Sequence, residues 1–450
     1  MPALGPRLVI AGTHSGVGKT TVATALMAAL TARGRRVAPA KVGPDFIDPS
    51  YHAIATGRPG RNLDAWMCGA DAIGPLAGRA AAGADVLVVE GVMGLFDGAA
   101  DGTPSSTAEV AVLLDAPVVL VVDASSMGQS VAALVRGFAS HDERVGLAGV
   151  VLNRVGSAAH EDMLRRALEP LGVPVLAVLG RDDALTWRDR HLGLIPAAEH
   201  PERVAESVAR LGAVFAAGAD LDRFEQVARA APARTVPLPP APRRSASARI
   251  AVAGGPAFSF AYPDNLEALA AAGAELVPFD PCIERSLPEG CDGLVAGGGF
   301  PEIFGAELAE NTPLLADVRR AVRGGLVVWA ECGGLLWLTR RLDEHEMAGV
   351  IDAEARMTDR LTLGYRAATI EVASPLGPAR TGLRGHEFHY STTEPGGEAL
   401  TADGRTGRTR GGYADERLLA SYLHVHLGAR PDLAERFVAT CAPGRPRLDG

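Results

Sequence analysis

Two short stretches at opposite ends of this chain carry residues able to do chemistry. Near the N-terminus, Gly12-Thr13-His14-Ser15-Gly16-Val17-Gly18-Lys19-Thr20-Thr21 follows an apolar run and opens a helix-period segment. Glycines there let backbone N–H groups approach phosphate oxygens, and a helix N-terminus favours the negative charge. His14, Ser15, Gly16, Val17, Gly18, Lys19, Thr20 and Thr21 are thus expected to cradle ATP. Lys19 would pair with the outer phosphates, and the Thr20 hydroxyl would ligate Mg²⁺. The strict pattern wants glycine where Thr13 stands, so the loop is a variant. Far along the chain, Val327-Val328-Trp329-Ala330-Glu331-Cys332-Gly333-Gly334 places a cysteine between an apolar strand and two glycines. Such a strand-to-helix elbow presents a nucleophile, and a helix N-terminus favours a thiolate. The pair of motifs points to ATP at one site and thioester chemistry at the other.

Acids stand where a nucleotide enzyme needs them. Lys41 to His52 (Lys41-Val42-Gly43-Pro44-Asp45-Phe46-Ile47-Asp48-Pro49-Ser50-Tyr51-His52) follows a second apolar run, and Val89 to Gly98 a third. Glu90 at a buried strand end is costly unless paired, and Mg²⁺ beside a phosphate loop is a natural partner. Thr20, Asp48 and Glu90 form the expected metal set. Lys41, Asp45, Asp48, Tyr51 and Asp97 are candidates for positioning substrate or phosphate. The bland alternative for Asp45, Asp48 and Asp97 is turn and cap chemistry beside Pro and Gly. Asn153 ends another strand and either reads the adenine edge through its amide or simply closes a turn.

A cysteine nucleophile needs a base within hydrogen-bond reach. Ala420-Ser421-Tyr422-Leu423-His424-Val425-His426 supplies two candidates, and in a strand His424 and His426 share a face. His424 is the preferred base and His426 a candidate support. Backbone N–H groups of Gly298 and Gly299, in Gly297-Gly298-Gly299-Phe300-Pro301-Glu302, and of Gly333 could form an oxyanion hole. The cluster Gly385-His386-Glu387-Phe388-His389-Tyr390-Ser391 is polar and aromatic, fitting either a pocket lining or a solvated edge strand. Cys68, Cys282, Cys291 and Cys441 lack reactive contexts and read as structural.

These groups need a scaffold, and the chain has length for two domains at 450 residues. Largely apolar runs at Leu8–Ala11, Val37–Val42, Val86–Glu90, Val118–Asp123, Leu147–Asn153 and Val173–Leu179 alternate with helical periods such as Thr20–Ala32 and Gln129–Ala139. That predicts a doubly wound α/β domain over residues 1–229 with its chemistry at the strand carboxyl ends. A proline-rich stretch at 230–248 reads as a linker. A second α/β domain follows over 249–441, with strands near Glu275–Phe279, Gly293–Ala296, Leu326–Ala330, Thr369–Val372 and Leu419–Leu423; residues 442–450 form a tail. The net charge of −9 argues against a general nucleic-acid binder. No apolar run is long enough to span a bilayer. Five scattered cysteines without a Cys-x-x-Cys pair favour a reducing cytoplasm.

In this order and over nearly the whole length, the motifs resemble those of the cobyrinic or hydrogenobyrinic acid a,c-diamide synthases of cobalamin biosynthesis. They are Gly12–Thr21, Lys41–His52, Val89–Gly98, Gly297–Glu302, Glu331–Gly334, Gly385–Ser391 and Ser421–His426. The first half is similar to dethiobiotin synthetase and the second to class I glutamine amidotransferases. The resemblance implies that Cys332 attacks the glutamine amide, His424 shuttles the proton, and the first domain uses Mg-ATP to phosphorylate the a- and c-acetates of a corrin acid. Ammonia then displaces phosphate from each. The small-molecule partners implied are ATP, glutamine and the corrin, with cobalt-free hydrogenobyrinic acid slightly preferred. Homodimerisation is left open. Class I enzymes usually carry glutamate two residues after the histidine, where this chain has His426, so the orienting acid is either missing or comes from elsewhere. Amidation of another tetrapyrrole such as nickel-sirohydrochlorin, or of the cobyric acid synthase type, is the nearest alternative. A partitioning-type ATPase switch is the alternative from another class, and it leaves Cys332 and His424 without a purpose.

Overall fold

The computed structural model describes residues 3–99, 102, 104–181, 189–190, 193–194, 201–237, 247–405 and 407–442. Internal contacts divide the chain into two units, Met1–Pro239 and Pro240–Gly450.

The first unit is built on seven parallel strands: β1 (Arg7–Gly12), β2 (Val37–Val42), β3 (Arg61–Leu63), β4 (Val86–Glu90), β5 (Val118–Asp123), β6 (Leu147–Val155) and β7 (Val175–Gly180). They lie in the order β3-β2-β4-β1-β5-β6-β7. Successive residues of β1 feed opposite faces, Val9 and Ala11 into one core and Leu8 and Ile10 into the other. Burial on both faces explains why these strands read as unbroken apolar runs. Strand order reverses around β1, so the crevice beyond its carboxyl end is where a ligand is expected. The phosphate loop lies there and leads into α1 (Lys19–Ala32); α2 (Ile47–Thr56) follows β2. A short α3 (Thr107–Leu113) is fixed by a capping box between Ser106 and Glu109. Beyond it, α4 (Pro201–Gly218) packs along α1. The three-residue strand β3, too short to show a period, was not expected.

The segment expected as a linker over 230–248 is docked at both described ends. Arg234–Thr235 pairs antiparallel with Ala3–Leu4, and Val236 is buried in the first core. The buried Arg7 guanidinium ties the same segment down, donating to the carbonyls of Leu114 (2.5 Å), Gly5 (2.9 Å) and Pro232 (2.8 Å). One apolar side chain among the prolines suffices to anchor this end, which composition alone hides. Residues 238–246 of the expected linker, and 443–450 of the expected tail, lie outside the described residues.

The second unit has two sheets. One holds β8 (Ala248–Ala253), β9 (Ala274–Phe279), β10 (Gly293–Ala296), β11 (Val327–Glu331), β14 (Tyr413–Asp415) and β15 (Leu418–Ser421), in the order β9-β8-β10-β11-β15-β14. Only the edge strand β14 runs antiparallel. From β11 the chain turns through Cys332 into α5 (Gly333–Leu338). The other sheet centres on β12 (Glu354–Ile370) and β13 (Gly382–Glu394), with β16 (His424–Val425) against β13. Within the cluster Gly385–Ser391, Gly385 and His386 are buried between β12 and β16, while Glu387, Phe388 and His389 pair with β12 alone and are half-buried. The strand expected near Thr369–Val372 is the far end of β12. Its alternation of exposed and half-buried residues is the pattern of a sheet with one wet face, which a search for apolar runs passes over.

Candidate active sites

Gly18, the residue before α1, has φ of 99°, a left-handed conformation that glycine adopts without cost. A Cβ there would fall 2.3 Å from the Asn153 amide. Asn153 Nδ2 donates to the Val17 carbonyl at 2.9 Å and Oδ1 accepts from Arg154 N–H. Its amide thus braces the phosphate loop from the end of β6, the turn-closing role that was one of its two readings. Lys19 Nζ donates to the His14 carbonyl across the loop at 3.1 Å. Burial, and next the charge of Lys41, bring the Lys19 ammonium down to about 8.

Behind the loop lies a buried ionic cluster. Lys41 Nζ, from the end of β2, is 2.6 Å from Asp48 Oδ2 and 2.7 Å from Glu90 Oε1. Thr20 Oγ1 donates to the same Glu90 oxygen at 2.7 Å and stands 3.2 Å from Asp48 Oδ2. His52 Nε2 meets the other Glu90 oxygen at 2.7 Å, both side chains fully buried. Burial opposes the charge on Lys41, yet Asp48 and Glu90 outweigh it and hold the ammonium protonated far above its ordinary range. Burial likewise opposes the Glu90 carboxylate, and Lys41 and His52 hold it ionised below its usual range. Asp48 is driven upward by burial and by its neighbours Asp45 and Glu90, against the pull of Lys41.

The hydroxyl of Thr20 and the carboxylates of Asp48 and Glu90 are hard oxygen donors converging on one point, a set that fits Mg²⁺. Among the described residues no three His, Cys, Asp or Glu side chains are arranged to hold a metal unaided. Phosphate oxygens or water would complete such a shell. Asp45 accepts from the N–H groups of Ile47 and Asp48 at the start of α2, and the exposed Asp97 accepts from Gly94 N–H at 2.9 Å. Both make the turn and cap bonds of the bland alternative, with Asp97 still open to solvent. Tyr51 is buried in the core that packs against α1. On α2 it sits three residues after Asp48, and burial of that inner face decides its place.

In the second unit the backbone at Cys332 is strained, at φ 45° and ψ −99°, the residue before α5. Non-glycine residues held this way cost about 1–3 kcal/mol and cluster at active sites. The elbow is held by Cys332 N–H donating to the Ser421 carbonyl at 2.8 Å and Gly334 N–H to Gly297 at 2.8 Å. Cys332 hydrogen-bonds the His424 side chain. On the other side of that ring, Nδ1 is 3.3 Å from Glu331 Oε2, while Oε1 accepts from Val425 N–H at 2.9 Å. Burial disfavours the imidazolium, but the bonds to Cys332 and Glu331 prevail and raise His424 to about 10. The acid beside His424 is therefore Glu331, immediately before Cys332. It lay within the quoted motif without a role; a carboxylate at the buried end of a strand was the available signal.

His426 is not part of this arrangement. Its Nδ1 accepts from Gly428 N–H at 3.1 Å, its Nε2 faces Asp264 Oδ2 at 3.9 Å, and its ring lies against Tyr262. The chain leaves β16 at Val425, so the shared face expected of a longer strand does not extend to His426. Gly298 also changes role. Its N–H is bonded to the Phe260 carbonyl at 3.0 Å, so it is no oxyanion donor. A Cβ there would fall 2.6 Å from His424 Cε1, so the glycine makes room for the base. Gly299 N–H and Gly333 N–H find no acceptor among the described residues, and a Cβ on Gly333 would fall 3.1 Å from Gly299 N. These two donors sit together beside Cys332.

Residues 8–195 match the family described as the CobQ/CobB/MinD/ParA nucleotide binding domain, and residues 249–432 match the CobB/CobQ-like glutamine amidotransferase domain. A hydrogenobyrinate a,c-diamide synthase from Streptomyces coelicolor is 50% identical, covering 97% of each chain. One from Thermobifida fusca is 46% identical over 98% of each. A cobyrinate a,c-diamide synthase from Synechococcus is 43% identical over 96% of this chain and 98% of the relative.

Proposed function

The chain belongs to the hydrogenobyrinate/cobyrinate a,c-diamide synthase family, and on that premise we propose how its two units divide the work. The reaction is an ATP- and glutamine-dependent amidation of two acetate side chains on a corrin. The observation that carries the division is the presence in one chain of a phosphate loop backed by Thr20 and Glu90 and of a Cys332–His424–Glu331 site.

In the second unit the Cys332 sulfur attacks the side-chain amide carbon of glutamine. The oxyanion is received by the N–H groups of Gly299 and Gly333. His424 gives its proton to the departing nitrogen, and ammonia leaves. Water then attacks the thioester while His424 takes up the proton, releasing glutamate and the free thiol. Glu331 holds the ring so that one nitrogen always faces the sulfur.

In the first unit a free carboxylate is a poor electrophile, so it first attacks the γ-phosphorus of ATP and ADP departs. Lys19 and the loop N–H groups hold the phosphates in line. Ammonia adds to the acyl phosphate, inorganic phosphate leaves, and the amide remains. The cycle runs once for each acetate. Thr20, Asp48 and Glu90 would hold Mg²⁺, which would supply positive charge against the phosphates during transfer. Lys41, already paired to both carboxylates, holds them together and keeps Glu90 ionised.

We favour the cobalt-free ring, because the relatives at 46–50% identity are named for hydrogenobyrinate and those at 40–43% for cobyrinate. The test is mass spectrometry of hydrogenobyrinic acid, cobyrinic acid and nickel-sirohydrochlorin, each incubated with enzyme, Mg-ATP and glutamine. Two successive exchanges of OH for NH₂, fastest on hydrogenobyrinic acid, are expected. Faster turnover of cobyrinic acid would overturn the ring preference, and turnover of neither corrin would overturn the function.

A further inference from the structure

His424 is held at both of its edges by Cys332 and Glu331, but a ring also has faces. One face is covered by His386, whose ring lies 4.9 Å away at 22°, close to parallel. The two residues are direct partners in the pairing of β13 with β16. That contact is close because Gly385 precedes His386; a Cβ on Gly385 would fall 2.2 Å from the His424 carbonyl. His386 is itself fixed, its Nε2 lying 2.9 Å from the Tyr262 hydroxyl. Tyr262 in turn lies against His426, which faces Asp264. All five side chains are buried.

We propose that His386 is a positioning residue for glutamine hydrolysis, a flat plate pinned by Tyr262 that fixes the plane of the His424 ring between Cys332 and Glu331. This rests on the reading that the second unit hydrolyses glutamine. A base that must first face sulfur, then nitrogen, then water can swing about its long side-chain bonds, and bonds at its edges leave rotation about their own line unopposed. A parallel ring on one face removes that freedom. The plate has to be neutral, since a second imidazolium against His424 would repel it. Burial, and then the charge of His424, hold His386 unprotonated well below the ordinary histidine range. The Tyr262 O–H donating to Nε2 suits that neutral form, with the proton on Nδ1. The other titratable groups around the pair are consistent with one cation here. Glu331 and Cys332 face His424 from β11 and the elbow. Tyr365 lies opposite His386 on β12. His389, further along β13, is lowered to about 4, chiefly by burial.

The test compares His386→Ala, His386→Phe and Tyr262→Phe in the full-length enzyme, reading glutaminase kcat and KM, with ammonia-driven amidation as the control for folding. His386→Ala should lower kcat by roughly 10–100-fold with KM for glutamine changed by less than about threefold, because misplacement of a catalytic group acts on the chemical step. His386→Phe restores a flat ring and should recover most of that loss, and Tyr262→Phe should fall between them. Iodoacetamide alkylation of Cys332 should slow in parallel with kcat across the series. Unchanged kcat in Tyr262→Phe and in His386→Ala, or a rise in KM at constant kcat, would overturn the proposal. If His386→Ala does not fold, Tyr262→Phe and His386→Phe decide it by the same readings. Wild-type enzyme without Cys332-dependent glutaminase would instead sink the reading beneath it.

Discussion

The two sites solve the same problem, holding charged groups in a buried place, in opposite ways. In the first unit Lys41, Asp48, Glu90 and Thr20 are bonded to one another. Their charges are balanced before any substrate arrives, and the phosphate loop stands open beside them. In the second unit Cys332, His424 and Glu331 already stand in their reacting order on a strained elbow. Thioester chemistry needs only glutamine to be added, so its groups can be preassembled. Phosphoryl transfer is mostly positioning and charge neutralisation around the nucleotide, so its cluster is built as a stable counter-charge that ATP can complete.

The difference can be broken most sharply at the nucleophile. Cys332→Ala should lower glutamine-driven amidation by at least about 1000-fold while ammonia-driven amidation stays within about twofold, measured side by side. Loss of both activities in a folded protein would mean that the two units do not act separately. Glu90→Gln should do the reverse, lowering both amidations by roughly 100-fold with glutaminase retained. It also leaves Lys41 short of a buried partner, so urea unfolding should show a loss of about 3–5 kcal/mol.

Glu331→Gln tests the preassembled site more gently. Glutaminase should fall roughly 10–100-fold, and the pH dependence of stability should change as well. The folded His424 is raised from 6.5 to about 10. Its contribution is therefore complete below about 6.5 and is lost as pH rises through about 10. Without Glu331 that loss should begin at lower pH, visible as a shifted profile of urea midpoints between pH 6 and 10. An unshifted profile would leave Glu331 out of the pair. The smallest effect is expected at His426. His426→Gln should keep glutaminase kcat within about threefold, in contrast to Glu331→Gln. Equal losses in the two variants would restore His426 to the triad.

Much of the scaffold and the two principal motifs could be read in advance, for a physical reason. Strands buried on both faces announce themselves as apolar runs, and the loop and elbow require glycines at set places beside Lys19 and Cys332. The long hairpin of β12 and β13 has a wet face and reads as mixed polarity, so it was largely missed. The misplaced site residues share another cause. His426 and Gly298 have fitting chemistry and spacing, but each is claimed by neighbours in the fold, Asp264 and Gly428 for the first and Phe260 for the second. Glu331 was missed because its partner lies 93 residues away across β11 and β16.

The most direct test of the two-site division is to supply glutamine labelled with ¹⁵N at the side-chain amide, with Mg-ATP and hydrogenobyrinic acid, in ammonia-free buffer. The expected result is a product carrying two labelled amides from the wild type and none from Cys332→Ala. Unlabelled amides from the wild type, or labelled ones from Cys332→Ala, would contradict it.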